Sequence, residues 1–399
     1  MTELPPGARL FHVGPPKTGT TALQAAAAAR RTQLLAHGVR YPGTSRNHRL
    51  AVAAFLGRGT GWGGGRRAPS MRHWFELVGE LAAEGERRTW FGHEYAAHAD
   101  PGQIGRFANA LGPSLEVVIT LRGFAGMLPS IWQEHLKLNG GRRAFEPWLR
   151  SVLCPGEAGG RRDRYDHVAM LERWIAGAGR GKVSVVVLDP ADQGFAFRAF
   201  EGLLGLPAGL LDGTPGGSNR SLSAPEAELL RRLNQLTRRE GLPWPDHERL
   251  VVRGGVDRLL ASPAPGQRVE LPEWAVPLAN REGERIAEAV AASGVRVIGD
   301  PALLAAPAAP APGAAVTHVP IDVAVAAMAG ILSAATGQGP DFRRSPDRAG
   351  RQLLVHLRHD LRAGREIGFG RLAGHGIHRA GDSLRGLGYA ALGWRNARR

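Results

Sequence analysis

The stretch Phe11-His12-Val13-Gly14-Pro15-Pro16-Lys17-Thr18-Gly19-Thr20-Thr21 gathers groups suited to holding an oxyanion. A short apolar run enters a Gly/Thr turn, and a helix-forming segment follows. In such a strand–loop–helix turn the backbone N–H groups point at an anion, and the helix N-terminus favours negative charge. Lys17 adds a compact ammonium. Lys and Arg together number 51, yet only Lys17, Lys137 and Lys182 are lysines. A chain that uses Arg nearly everywhere has a small point charge at this loop, and the two residues are not interchangeable close to an oxyanion. The nucleotide-binding pattern G-x-x-x-x-G-K-[ST] is met only in part. Gly14 and Gly19 have the right separation, but Thr20 stands where that pattern needs Lys, and Lys17 comes three residues earlier. No clear second-strand Asp for magnesium follows. The loop suits a phosphate-like group without a Mg²⁺–triphosphate apparatus.

The elements that must position this loop are legible around it. Leu10–Val13, Thr89–Gly92, Glu116–Leu121 and Val183–Leu188 are short apolar or β-branched runs. Helical stretches separate them, among them Thr21–His37, Met71–Glu84 and Phe124–Leu138. Buried strands alternating with helices predict an α/β fold: three layers, P-loop-like, with a central parallel sheet flanked by helices. Right-handed crossovers place the loops that follow the strands on one edge, where ligands of such sheets bind. Those loops carry Lys17, Glu94 and Arg122. Beyond Leu188 the pattern is helical, with Phe195–Leu204, Ala224–Arg239 and Arg281–Ala292.

Composition bounds the rest. The 399 residues are 43% hydrophobic, enough for a sizeable core. The net charge of +15 and the pI of about 11.2 suggest anionic partners. The charge is uneven: residues 341–399 hold 13 arginines against 5 acids. Three regions are expected: a domain over 1–304, an Ala/Pro linker over 305–316, and a basic extension over 317–399, helical or partly disordered. The extension holds an amphipathic stretch at Gln352–Arg365. The apolar run Val323–Ala335 is too short to span a bilayer and reads as a buried or docking helix. Cys154 is alone, so neither an intrachain disulfide nor a cysteine-based metal site is expected. With no leader-like segment, a cytoplasmic location is expected, and the Arg-rich extension is suited to an anionic membrane surface or a partner. No nucleic-acid motif accompanies the charge, so no nucleic acid is expected.

Pro16-Lys17-Thr18-Gly19-Thr20-Thr21 resembles the 5′-phosphosulfate loop of sulfotransferases that use 3′-phosphoadenosine 5′-phosphosulfate (PAPS). The resemblance implies a P-loop-like fold, PAPS as cosubstrate and no metal. It also implies that Lys17 meets the bridging oxygen and sulfonate while Thr20 and Thr21 hold the 5′-phosphate. The same family ends a later strand with Arg and has Ser eight residues on, the pair holding the 3′-phosphate. Here Val117–Leu121 is followed by Arg122, and Ser130 lies at that spacing. The guanidinium offers a planar fork to a phosphate, and a helical Ser adds a hydroxyl. Ser130–Lys137, Tyr165-Asp166 with Trp174, and Ser218–Ser223 are similar to segments of a bacterial group of the family, so the resemblance spans roughly residues 8–300.

For transfer to a hydroxyl, the resemblance implies a Glu or a His as base. Glu94, at a strand end on the ligand edge, is the first candidate; His48, in a polar loop, is the second. The implied acceptor is a hydroxyl of a carbohydrate, lipid or secondary metabolite. Two other classes compete: a divergent P-loop nucleotide kinase or NTPase, and a basic anion-binding module.

Overall fold

The computed structural model describes residues 3–59, 67–154, 165–212, 220–263, 266–308 and 316–337. Ser218 and Asn219, much of the Ala/Pro linker and the expected helix at 352–365 lie outside them. The chain divides into two compact units, Met1–Pro340 and Asp341–Arg399, and all the described residues belong to the first.

Six parallel strands form one sheet among the described residues: β1 (Arg9–Val13), β2 (Val39–Arg40), β3 (Arg88–Gly92), β4 (Leu115–Leu121), β5 (Val183–Val187) and β6 (Arg296–Ile298). Their order is β2-β3-β1-β4-β5-β6. Every residue of β4 and β5 is buried, as expected of strands covered on both faces. The side chains alternate between two cores. Phe11, Phe91, Val117 and Val185 face Phe107 and Trp174; Leu10, Trp90, Val118 and Val186 face Leu23 and Phe200. Phe11 anchors the first core, with its ring 5.0 Å from those of Phe91 and Phe107. The structure is therefore the α/β fold with a helix-flanked parallel sheet that the sequence predicts.

Two details differ from the sequence-based expectation. The edge strands β2 and β6 are two and three residues long, too short to show alternation. The single helix expected over Thr21–His37 is two, Thr20–Ala29 and Arg31–Ala36, jointed at Arg30, whose backbone leaves the helical region. The Arg30 guanidinium donates to the Asp212 carbonyl beside the joint.

The strand order decides which loops can meet. From β1 the chain moves out through β2 and β3 on one side, then returns to lay β4 on the other. Such a reversal is where open α/β sheets bind ligands. It also makes the loops after β3, β1 and β4 immediate neighbours.

Ile321–Thr336 is helical and packs on Glu248–Val256, a π-helical stretch. The two backbones touch through glycines: a Cβ on Gly254 would lie 2.6 Å from the Gly330 carbonyl oxygen. No helix among the described residues is long and apolar enough to cross a membrane. Gly254→Val should force these helices apart and destabilise the protein by about 1–3 kcal/mol, as overpacking does. A urea midpoint equal to that of the parent chain would show that the helices do not meet there.

Candidate functional site

At the end of β1 the backbone passes through Gly14. A Cβ there would lie 2.4 Å from Thr20 Oγ1, 2.5 Å from Thr120 Oγ1 and 2.8 Å from Thr18 Oγ1. Only glycine leaves room for the three hydroxyls that crowd the floor of the loop. Thr18 Oγ1 donates to the Pro15 carbonyl at 2.7 Å and lies 2.9 Å from Thr120 Oγ1. Beneath them His12 Nε2 is 3.1 Å from Thr120 Oγ1. Burial pushes the His12 imidazole down to about 3, so this floor is polar but uncharged. Thr20 Oγ1 is buried and has no hydrogen-bond partner.

Pro16 leads into the tip of the loop. Lys17 has φ 71° and Gly19 φ 77°, two left-handed residues that wrap the backbone into the first turn of Thr20–Ala29. Gly19 is the N-cap, and no side chain caps the helix. Thr20 and Thr21 thus open a ten-residue helix whose positive end faces the loop.

Arg122 follows β4, next to β1. Its Nη1 donates to the Lys17 carbonyl at 3.3 Å, so the two ends of the proposed anion site are in contact. Burial pushes its pKa below the usual guanidinium value, yet an arginine remains charged. No carboxylate among the described residues forms an ion pair with it. Ser130 lies half-buried one and a half turns into the helix Phe124–Asn139, which continues through Pro129.

Glu94 opens a short 3₁₀ turn, Glu94–His98, just past β3. Its carboxyl is pushed up to about 7, first by burial and then by the charge of Glu134; Lys17 and Arg58 oppose the shift. Glu94 therefore shares an electrostatic environment with Lys17.

His48 is held differently. The Gly92 N–H donates to its Nδ1 at 3.3 Å, which puts the ring proton on Nε2, 3.1 Å from the Pro42 carbonyl. Burial pushes it down to about 4. With both ring nitrogens committed to backbone, His48 braces the loop 41–48 against the end of β3. Of the two expected base candidates, His48 is thus the one whose ring nitrogens both have backbone partners. Its neighbour His93 is likewise buried, and its Nδ1 accepts from the Tyr95 N–H.

Two residues not anticipated as part of the site join it. Glu134 Oε2 lies 2.6 Å from Lys17 Nζ, and Lys137 Nζ lies 3.7 Å from the same oxygen. The sequence signal was the scarcity of lysine, which marks Lys137 as well as Lys17, together with the three-residue spacing to Glu134. Lys137 is not an exposed helix cation, since its side chain is buried. Lys182, by contrast, pairs with Glu116 at 2.8 Å ahead of β5, on the opposite edge of the sheet.

No family model matches the chain, and no curated protein matches it. Among solved structures it is similar to the crystal structure of a sulfotransferase from Alicyclobacillus acidocaldarius, with 20% identity, a TM-score of 0.36, and coverage of 56% of this chain and 89% of that one.

The titration of Glu94 gives a test of this geometry. A carboxyl raised from 4.5 to about 7 on folding contributes stability that is complete below pH 4.5 and is lost as pH rises through about 7. Glu94→Gln stays neutral throughout. Its melting temperature should therefore gain on the parent by a few degrees between pH 5 and pH 8.5. A difference that stays flat across that range in calorimetry would mean that Glu94 ionises like an ordinary carboxylate.

Proposed function

We propose that this chain is a sulfotransferase that uses PAPS to sulfate a hydroxyl acceptor. The observation that carries the reading is the contact between Arg122 and the Lys17 backbone. It makes one site of the two motifs that resemble the two phosphate-binding ends of that family.

The residues present fit such a cosubstrate. Gly14 keeps the loop floor open, the Thr20 hydroxyl is buried without a partner, and the Thr20–Ala29 helix offers its uncapped end. Pro16, Lys17, Thr18, Gly19, Thr20 and Thr21 would surround the 5′-phosphosulfate; Arg122 and Ser130 would hold the 3′-phosphate. Once bound, PAPS supplies a sulfuryl group already activated on a phosphate leaving group.

The chain's own work is to position and neutralise. Lys17 brings an ammonium to the developing negative charge, the kind of stabilisation that lowers such a barrier most. Arg122 spreads its fork toward a dianion. Glu94 takes the proton that the acceptor hydroxyl loses, and a carboxylate whose pKa lies near 7 is well matched to that task. The acceptor belongs to the hydroxyl compounds of carbohydrates, lipids or secondary metabolites.

Lys17→Ala should abolish transfer of label from ³⁵S-PAPS to acceptors in cell extracts. Arg122→Ala should weaken binding of adenosine 3′,5′-bisphosphate, read by calorimetry, by about 2–4 kcal/mol, the loss expected when a desolvated charge contact is cut. Unchanged affinity would sink the assignment of Arg122. The parent chain should be stabilised against heat by adenosine 3′,5′-bisphosphate and not by ATP with Mg²⁺. The reverse outcome would point to a nucleotide kinase or NTPase.

A further inference from the structure

Two of the chain's three lysines meet on one carboxylate. Glu134 Oε2 is 2.6 Å from Lys17 Nζ and 3.7 Å from Lys137 Nζ. The two cations reach Glu134 from different supports. Lys137 is three residues along the same helix, hence on the same face, and its side chain is buried. Lys17 comes from the loop after β1, on a left-handed backbone, and its side chain is more open. The helix holds Glu134 and Lys137 in a fixed relation, while Lys17 is the member free to turn.

This arrangement poses a problem in charge. An ammonium 2.6 Å from a carboxylate has one of its three donors engaged, so an anion in the loop competes with Glu134 for Lys17 and draws it away. Its departure takes away the nearest counter-charge from Glu134, which already raises the proton affinity of Glu94 nearby. A partly buried carboxylate left unpaired is strongly unfavourable. Lys137 is placed to prevent that. Its ammonium needs to close by about one ångström to reach contact, which a four-carbon stem does by rotamer changes alone. The other cation acting on Lys137, Arg220, is already forked onto Glu226, with contacts of 2.8 and 2.7 Å, so it is not available to Glu134.

We propose that Glu134 and Lys137 are positioning residues for Lys17: when an anion enters the loop, Lys17 turns to it and Glu134 passes to Lys137, so that the carboxylate is never without a cation. The inference rests on the anion-binding loop of the proposed function, but not on the identity of the cosubstrate. It also explains why a lysine stands at 137 in a chain rich in arginine. A guanidinium there would fork onto Glu134 permanently, whereas an ammonium leaves it free to share.

The scarcity of lysine makes the exchange observable. Protein labelled with ¹³C at lysine Cε gives three signals, assigned by the Lys→Arg variant at each position. In the free protein, Glu134→Gln should move the Lys17 and Lys137 signals and leave Lys182 alone. Added to the parent protein, pyrophosphate and then adenosine 3′,5′-bisphosphate should move both the Lys17 and Lys137 signals over the same ligand concentrations, with Lys137 then titrating at higher pH. Binding measured by calorimetry gives a second readout. Lys137→Met should weaken pyrophosphate by on the order of tenfold, one charge contact's worth. Glu134→Gln should tighten it, a result that a merely structural role would not produce. The double variant should match Glu134→Gln alone. If pyrophosphate drives the exchange and adenosine 3′,5′-bisphosphate does not bind, the exchange stands and the PAPS reading falls. The exchange is overturned if Lys137 stays silent while Lys17 responds, if Glu134→Gln weakens binding, or if neither ligand binds.

Discussion

Two buried hydroxyls, Thr18 and Thr120, lie 2.9 Å apart beneath the loop, and the site depends on that contact. Thr18 belongs to the turn after β1, and Thr120 to β4, one residue before its end. Their hydrogen bond, continued below by His12, sets the height of the loop against the strand that presents Arg122. Both oxygens are fully buried, and each has one further partner, the Pro15 carbonyl for Thr18 and His12 for Thr120. The absent side chain at Gly14 is part of the same arrangement, because the space a Cβ would fill is taken by these oxygens and that of Thr20. Lys17 and Arg122 can be neighbours because this layer between them and the hydrophobic sheet is polar, small and uncharged.

What was legible in the sequence depends on how far each residue's partners lie along the chain. β4 and β5 are apolar nearly throughout, and that continuous pattern already says parallel and covered on both faces. Lys17 and Arg122 were readable because each is placed by its own strand and turn. Glu134 was not readable as part of the site: its partner Lys17 lies on another element, and only the packing of Phe124–Asn139 beside the loop brings them together. His48 shows a tertiary environment that the sequence also hides. A polar loop suggests a solvated imidazole, but the Gly92 N–H, 44 positions away, and the Pro42 carbonyl hold it as a strut. The proton affinity of Glu94 was equally hidden, since burial and the charge of Glu134 are tertiary facts.

The two kinds of cation divide the work of the fold. Arginines make the fixed clamps: Arg220 on Glu226, Arg231 on Glu228, and Arg285 on both Asp166 and Glu282. Each uses its planar fork to lock helices and turns at a set angle, and several also bond backbone carbonyls. Arg122 fits this pattern at the site's rim, tied to a carbonyl and with its remaining donors uncommitted among the described residues. The lysines at the ligand edge of the sheet do what a fork does badly. They place a small charge that can turn on a flexible stem.

Lys17 has a left-handed backbone, a conformation that glycine adopts freely and that is unfavourable for a lysine by roughly 1–2 kcal/mol. Among the described residues it is the one non-glycine with positive φ. The backbone at this position asks for glycine, and the anion site proposed for the loop asks for an ammonium. Folding stability and the site's purpose therefore favour different residues at the same place. A change to glycine here would relax the backbone and remove the ammonium in one step.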